Sequence, residues 1–182
     1  PYNAALQHIR TRVLARMGQG GNRITAVAHR VVHGGAKYSD PVRVDAQVLD
    51  DLRGYIPLAP LHQPFALEAI AALLESRPDL PQVACFDTAF HHTLPAVEKM
   101  LPLSWDAWER GLRRYGFHGL SYQYISLALP ERYADAAPGR TLGAHPGSAA
   151  SRCALPGLPS ASTNLVSSAP ARLLMCPRTR TP

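Results

Sequence analysis

The 182-residue sequence has only three cysteines, Cys85, Cys153 and Cys176, far apart and without a Cys-x-x-Cys pair. This excludes a disulfide framework or a zinc knuckle as the organising principle, and a reducing, cytoplasmic compartment is expected. Long apolar runs are also missing. Stretches such as 25–28 and 69–74 stop far short of the roughly 20 residues that cross a bilayer, so no membrane partner is expected. No acidic residue follows Asp135, so Arg140, Arg152, Arg172, Arg178 and Arg180 supply five of the six units of formal positive charge. The segment carrying them has no aromatic side chain on which a base could stack, so nucleic acid is not the expected partner. A noncatalytic, nucleic-acid-binding use of those five arginines is the alternative of another class. Pro1 to Arg12 has neither an initiator Met nor an apolar stretch before a cleavage site, and reads as an internal segment.

What is present is 46% hydrophobic residues, enough for a core. Ala5, Ile9, Val13 and Met17 recur at steps of four, which predicts an amphipathic packing helix over Ala4–Met17 ended by Gly18. Ile24–Val32 is rich in β-branched residues and reads as a strand broken at Gly34-Gly35, where the backbone can turn or approach a ligand. Val42–Val44 predicts a second strand, and Asp45 caps a helix over Ala46–Arg53. After a loop over Ile56–Gln63, Pro64 opens a helix over Phe65–Ser76, and Gln82–Phe86 is a short apolar strand running into Asp87. Strand, helix and strand in this order predict a parallel crossover and an α/β fold, with ligands gathering beyond the carboxyl ends of the strands. Further on, Trp105–Arg110 reads as a helical turn, 113–119 as a loop, and Ser121 as the cap of a helix that Pro130 stops. Past Gly139, six prolines and many Ser and Ala leave no clear period except a strand at 141–144.

Arg30 at a strand end beside two glycines can take a carboxylate or phosphate in a two-pronged bond, or make a surface ion pair. Asp87 can hold Mg²⁺, orient a reacting group, or cap the next segment. His118 in the basic Arg113–Gly119 loop is a candidate donor to a developing anion. The other histidines match no metal-binding spacing. Val32, Leu61 and Phe117 are apolar residues beside polar ones, suited to core packing or to a small alkyl pocket. Gly143–Ala150 offers backbone N–H groups to phosphate but is not a P-loop.

Four stretches together say more than their members: 29–35 (HRVVHGG), 57–62 (PLAPLH), 86–91 (FDTAFH) and 113–119 (RRYGFHG). Their order and wording closely resemble the acetate kinase family over Tyr2–Tyr133. The resemblance implies the actin-like and sugar-kinase ATPase superfamily fold, two α/β domains about a cleft. It divides this chain into 1–89, the remainder of the N-terminal domain; 90–138, the start of the second; and 139–182, its degenerate Pro/Ser/Ala/Arg-rich continuation. It implies phosphoryl transfer from ATP to acetate with Mg²⁺, commonly in a homodimer, and a propionate or other short-chain acyl kinase is the near alternative. Arg30 then matches the arginine that holds the substrate carboxylate, Asp87 the aspartate beside acetate and Mg²⁺, and His118 the histidine that stabilises the moving phosphoryl group. His62 matches a histidine of the same site, Val32, Leu61 and Phe117 the methyl pocket, and Arg178 a second substrate arginine. His145 and Gly147 match what remains of a phosphate loop, interrupted by Pro146 and Ala149, and Ala36 stands where the family has Glu. The family's first phosphate loop and its adenosine loops have no counterpart here, so the chain is expected to be inactive alone.

Overall fold

The computed structural model describes residues 2–17, 24–135, 139–147, 150–156 and 162–166. The first helix, α1, covers Tyr2–Met17. The two described side chains of its expected apolar seam face solvent: Ile9 is 56% and Val13 42% exposed. The period of four formed a helix, but the packing role read from it is corrected.

Strand β1 (Val27–Val31) starts three residues later than its β-branched run, with Ile24 exposed. A two-residue β2 (Val42–Arg43) precedes α2 (Ala46–Gly54), whose cap is the expected one: Asp45 accepts from the Val48 amide at 2.8 Å. Next come α3 (Gln63–Ser76), with Pro64 in its first turn, and β3 (Gln82–Phe86). β3 is the central strand, parallel to β1 and antiparallel to β2. The crossover is therefore as expected, with β2 added to the other edge.

The main core lies between this sheet and α2–α3. Val31, Leu52, Ile70, Ala84 and Phe86 are at most 1% exposed and cluster with Val44, Val48, Leu49 and Leu67. Burying each large aliphatic or aromatic side chain contributes about 1.5–3 kcal/mol before chain entropy is counted. Two short helices, α4 (Ala96–Lys99) and α5 (Trp105–Glu109), lead to α6 (Gly119–Arg132). α6 differs from its expected bounds at both ends. It begins at Gly119 rather than after Ser121, and it runs through Pro130. Pro130 sits in the last turn, where its missing N–H removes one bond of the helical ladder close to the helix end.

The tail holds more structure than its composition announces. β4 (Arg140–His145), β5 (Ala150–Pro156) and β6 (Ser162–Val166) form an antiparallel sheet in that order. Along β5 the buried positions are Ser151, Cys153 and Leu155, a period of two carried by small residues. Tyr122 of α6 packs on Cys153 and Leu155, with Phe90 at the margin, in a second small core.

Candidate active site

Because β1 and β3 are parallel neighbours, their carboxyl ends open on the same side, and both sequence-predicted charged residues sit there. The Asp87 amide donates to Val31 O at 3.0 Å, extending the ladder one residue past β3 and fixing the carboxylate beside β1. Arg30 Nε donates to Asp87 Oδ1 and Oδ2 at 3.0 and 3.2 Å, and Nη2 to Oδ2 at 2.7 Å. The hydrogen bonds to Asp87 raise the Arg30 pKa above its already high ordinary value. The partners are unequal: the Asp87 side chain is 3% exposed and that of Arg30 60%. Asp87 takes the Nε/Nη2 edge of the guanidinium, which leaves the Nη1/Nη2 edge pointing elsewhere.

The loop after β1 is clamped from two directions. Gln63, in the first turn of α3, accepts from the His33 amide at 3.1 Å and donates to the His33 carbonyl at 2.9 Å. Thr88, just after β3, accepts from the Gly34 amide at 3.1 Å. Gly35 has φ +63°, and a Cβ there would lie 2.2 Å from the Tyr55 ring. The paired glycines thus make the expected turn and admit close protein neighbours. His33 itself is buried, and burial pushes its pKa down to about 4. Its Nδ1 accepts from the Gly35 amide at 2.9 Å, and its ring meets those of Tyr115 and Phe117 edge-on.

His118 enters from the second segment. The Gly119 amide donates to Asp87 O at 2.8 Å, and a Cβ on Gly119 would lie 2.3 Å from that same oxygen. Only glycine lets α6 start so close to the end of β3. His118 occupies the N-cap position with a left-handed φ of 57°, a conformation that non-glycine residues adopt uncommonly. Its Nδ1 lies 2.8 Å from Ser151 Oγ, which is 2.7 Å from the Tyr122 hydroxyl. The His145 ring stacks on it, 4.2 Å between centroids and 8° from parallel. Burial, then the neighbouring His145, lower the His118 pKa; Arg30 and His62 add to this, and Asp87 opposes it. At neutral pH the imidazole is uncharged.

Arg30, His62, Asp87, His118 and His145 are therefore one electrostatic cluster. Phe117 and Val32 are half-buried beside it, whereas Leu61 is 74% exposed. Gly147 is exposed in the bend after β4, and Gly143 to His145, read as part of a phosphate loop, are strand residues paired with Cys153 to Ser151. Arg178 lies outside the described residues. Of the adjacent histidines, His91 is buried, bonded to Phe117 O at 3.0 Å and held by burial at a pKa of about 4, while His92 is exposed. Sequence reading missed Ser151 and Tyr122, since a serine in a Ser-rich tail and a helical tyrosine carry no spacing signal.

The profile of the Acetokinase family matches residues 1–179. An acetate kinase of Rhodopseudomonas palustris is 53% identical over 135 residues, 74% of this chain and 34% of that protein. One from Rickettsia typhi is 41% identical over 137 residues, 75% of this chain and 36% of that protein. The chain thus spans about a third of the length of the curated relatives it matches. Among solved structures, acetate kinase from Porphyromonas gingivalis superposes with a TM-score of 0.76 at 34% identity, over 91% of this chain and 42% of that one. A propionate kinase from Francisella tularensis gives 0.78 at 31% identity, over 88% and 41%. The mixed α/β architecture is part of the actin-like ATPase fold those kinases share, and the chain belongs to the acetokinase family.

Proposed function

We propose that this chain forms the acyl-acceptor side of an acetate kinase cleft, where the γ-phosphoryl group of ATP passes to acetate. The observation that supports this most is the meeting of Arg30, Asp87 and His118 at the carboxyl ends of β1 and β3. A carboxylate oxygen of acetate attacks Pγ in line, the bond from Pγ to the bridging oxygen breaks, and the electron pair leaves on ADP. Such a transfer asks for alignment and positive charge rather than a covalent nucleophile. The Nη1/Nη2 edge of Arg30 holds the acetate carboxylate, and Asp87 fixes the guanidinium that does so. Uncharged His118 donates a hydrogen bond to the equatorial phosphoryl oxygens, and His62 adds a polar wall. Val32, Leu61 and Phe117 receive the methyl group, Leu61 from the open rim.

Asp87 supplies hard oxygen donors with lone pairs left over after the Arg30 bonds, and it is the residue that would hold Mg²⁺. A metal bound there would supply neutralisation of phosphate charge. His145 and Gly147 would face the nucleotide side, and Arg178 would add a second carboxylate contact. The reading carries with it the division at residues 89 and 138, a homodimer, and a cytoplasmic setting; no helix among the described residues is long and apolar enough to cross a membrane. Propionate is the second reading, favoured by the superposition with a propionate kinase, because one methylene changes specificity by only about 1–3 kcal/mol.

The deciding assay is acetyl phosphate formation from ATP, Mg²⁺ and acetate by the intact protein that carries these residues. The 182 residues alone are expected to give none. Arg30→Ala in the intact protein should raise the acetate KM by about 100-fold or more, since two hydrogen bonds to a charged group are worth at least about 3 kcal/mol. An unchanged KM would remove Arg30 from substrate binding.

A further inference from the structure

We propose that Ser151 and Tyr122 form a one-way hydrogen-bond relay that fixes His118 as the tautomer protonated on Nε2. Neither residue touches the cleft; both are 2% exposed. They are positioning residues, and their role rests on His118 acting as the donor described above.

The direction of the relay follows from counting protons. The Tyr122 hydroxyl has Ser151 Oγ as its hydrogen-bonding partner at 2.7 Å, a bond that either oxygen could donate. In the order that leaves no proton of the cluster unmatched, the phenol proton goes to Ser151. Ser151, accepting there, directs its own proton to the atom 2.8 Å away, His118 Nδ1. Nδ1 is then an acceptor, and a neutral imidazole whose Nδ1 accepts carries its proton on Nε2. Two other arrangements exist. If Nδ1–H donates to Ser151 while Tyr122 also donates, the serine proton has no contact within the cluster. If Ser151 donates back to Tyr122, the phenol proton is the one stranded. A buried hydroxyl proton left unmatched costs more than a made bond returns, so the fully matched order prevails.

Other features hold the ring for this bond. The His145 ring lies flat against it, and the left-handed backbone at His118 is fixed by the Gly119 bond to Asp87 O. Rotation about the ring is thus limited, and Nε2–H is presented to the cleft as a permanent donor.

The test is two-bond proton–nitrogen NMR correlation on the ¹⁵N-labelled 182-residue chain, which reads the tautomer without turnover. His118 is expected to show a protonated Nε2, an unprotonated Nδ1, and a scalar coupling from the Ser151 hydroxyl proton to Nδ1. Ser151→Ala should lower the ratio of Nε2- to Nδ1-protonated ring about fivefold, the effect of losing one hydrogen bond. Ser151→Thr, which keeps a hydroxyl, should restore it. Tyr122→Phe, which leaves Ser151 in place, should shift the ratio the same way as Ser151→Ala. A protonated Nδ1 in the unaltered chain, or His118 signals averaged as in an unfolded peptide, would overturn the relay. So would a ratio that neither Ser151→Ala nor Tyr122→Phe changes. In the intact protein Ser151→Ala should lower kcat about fivefold with the acetate KM unchanged. Failure of acetate phosphorylation would refute the proposed function alone, because the tautomer is measured independently of it.

Discussion

Removing Arg30 should destabilise the chain more than neutralising Asp87, because the burial of the pair is one-sided. The Asp87 carboxylate is 3% exposed and accepts three hydrogen bonds from a guanidinium that is 60% exposed. Breaking a fully buried pair costs about 3–5 kcal/mol, whereas exposed pairs are worth about 0–1 kcal/mol. Arg30→Ala falls between these limits, at about 2 kcal/mol, because it strands an anion that water barely reaches. Asp87→Asn releases a cation already facing solvent and should cost about 1 kcal/mol. The double variant is the sharper measurement. A stranded amide is cheaper than a stranded carboxylate, so Arg30→Ala/Asp87→Asn should be more stable than Arg30→Ala alone. Urea denaturation of the purified chain gives the three values, and for a chain of this size each kcal/mol moves Tm by roughly 2–4 °C. If the two single losses simply add in the double variant, within about 0.5 kcal/mol, the asymmetry inferred from exposure is refuted.

Other outcomes follow from other features. His33 and His91 have folded pKa values of about 4, below the unfolded 6.5. Stability is therefore complete above about pH 6.5 and lost from there toward pH 4, by up to roughly 3 kcal/mol for each histidine. Urea midpoints that are the same at pH 7.5 and pH 5 would contradict it. Gly119→Ala places a methyl group 2.3 Å from Asp87 O, which should cost about 2 kcal/mol and lower kcat in the intact protein; a wild-type melting curve would show that α6 can retreat. Ile9→Ser with Val13→Ser should leave the stability of this chain within about 0.5 kcal/mol, since both side chains face water, and a larger loss in thermal melting would place α1 against a partner surface.

The sequence exposed most of the first sheet, because there each local signal agrees with the packing: β-branched runs for β1, an Asp cap for α2, Pro64 opening α3. It also marked Arg30, Asp87 and His118, since unusual residue types at strand ends and in glycine-flanked loops are visible without coordinates. It failed where the deciding term is tertiary. The apolar steps of α1 predict a helix but cannot supply the surface it would cover. The tail sheet hides its period behind Ser151, a polar residue at a buried position that hydropathy does not mark. Gly119 was legible as a glycine, but its reason, a carbonyl oxygen 2.3 Å from where a side chain would begin, is a fact about β3 and not about its own neighbours.

That last contact ties two distant stretches into a single mechanical part. The carbonyl that anchors the start of α6 belongs to the residue whose carboxylate grips Arg30. Any shift of the surrounding structure would therefore carry the Asp87 carboxylate, the His118 imidazole and the Arg30 guanidinium together, with their mutual spacing preserved. Registration of the reacting groups would be inherited from the resting state and would not have to be found anew in each cycle.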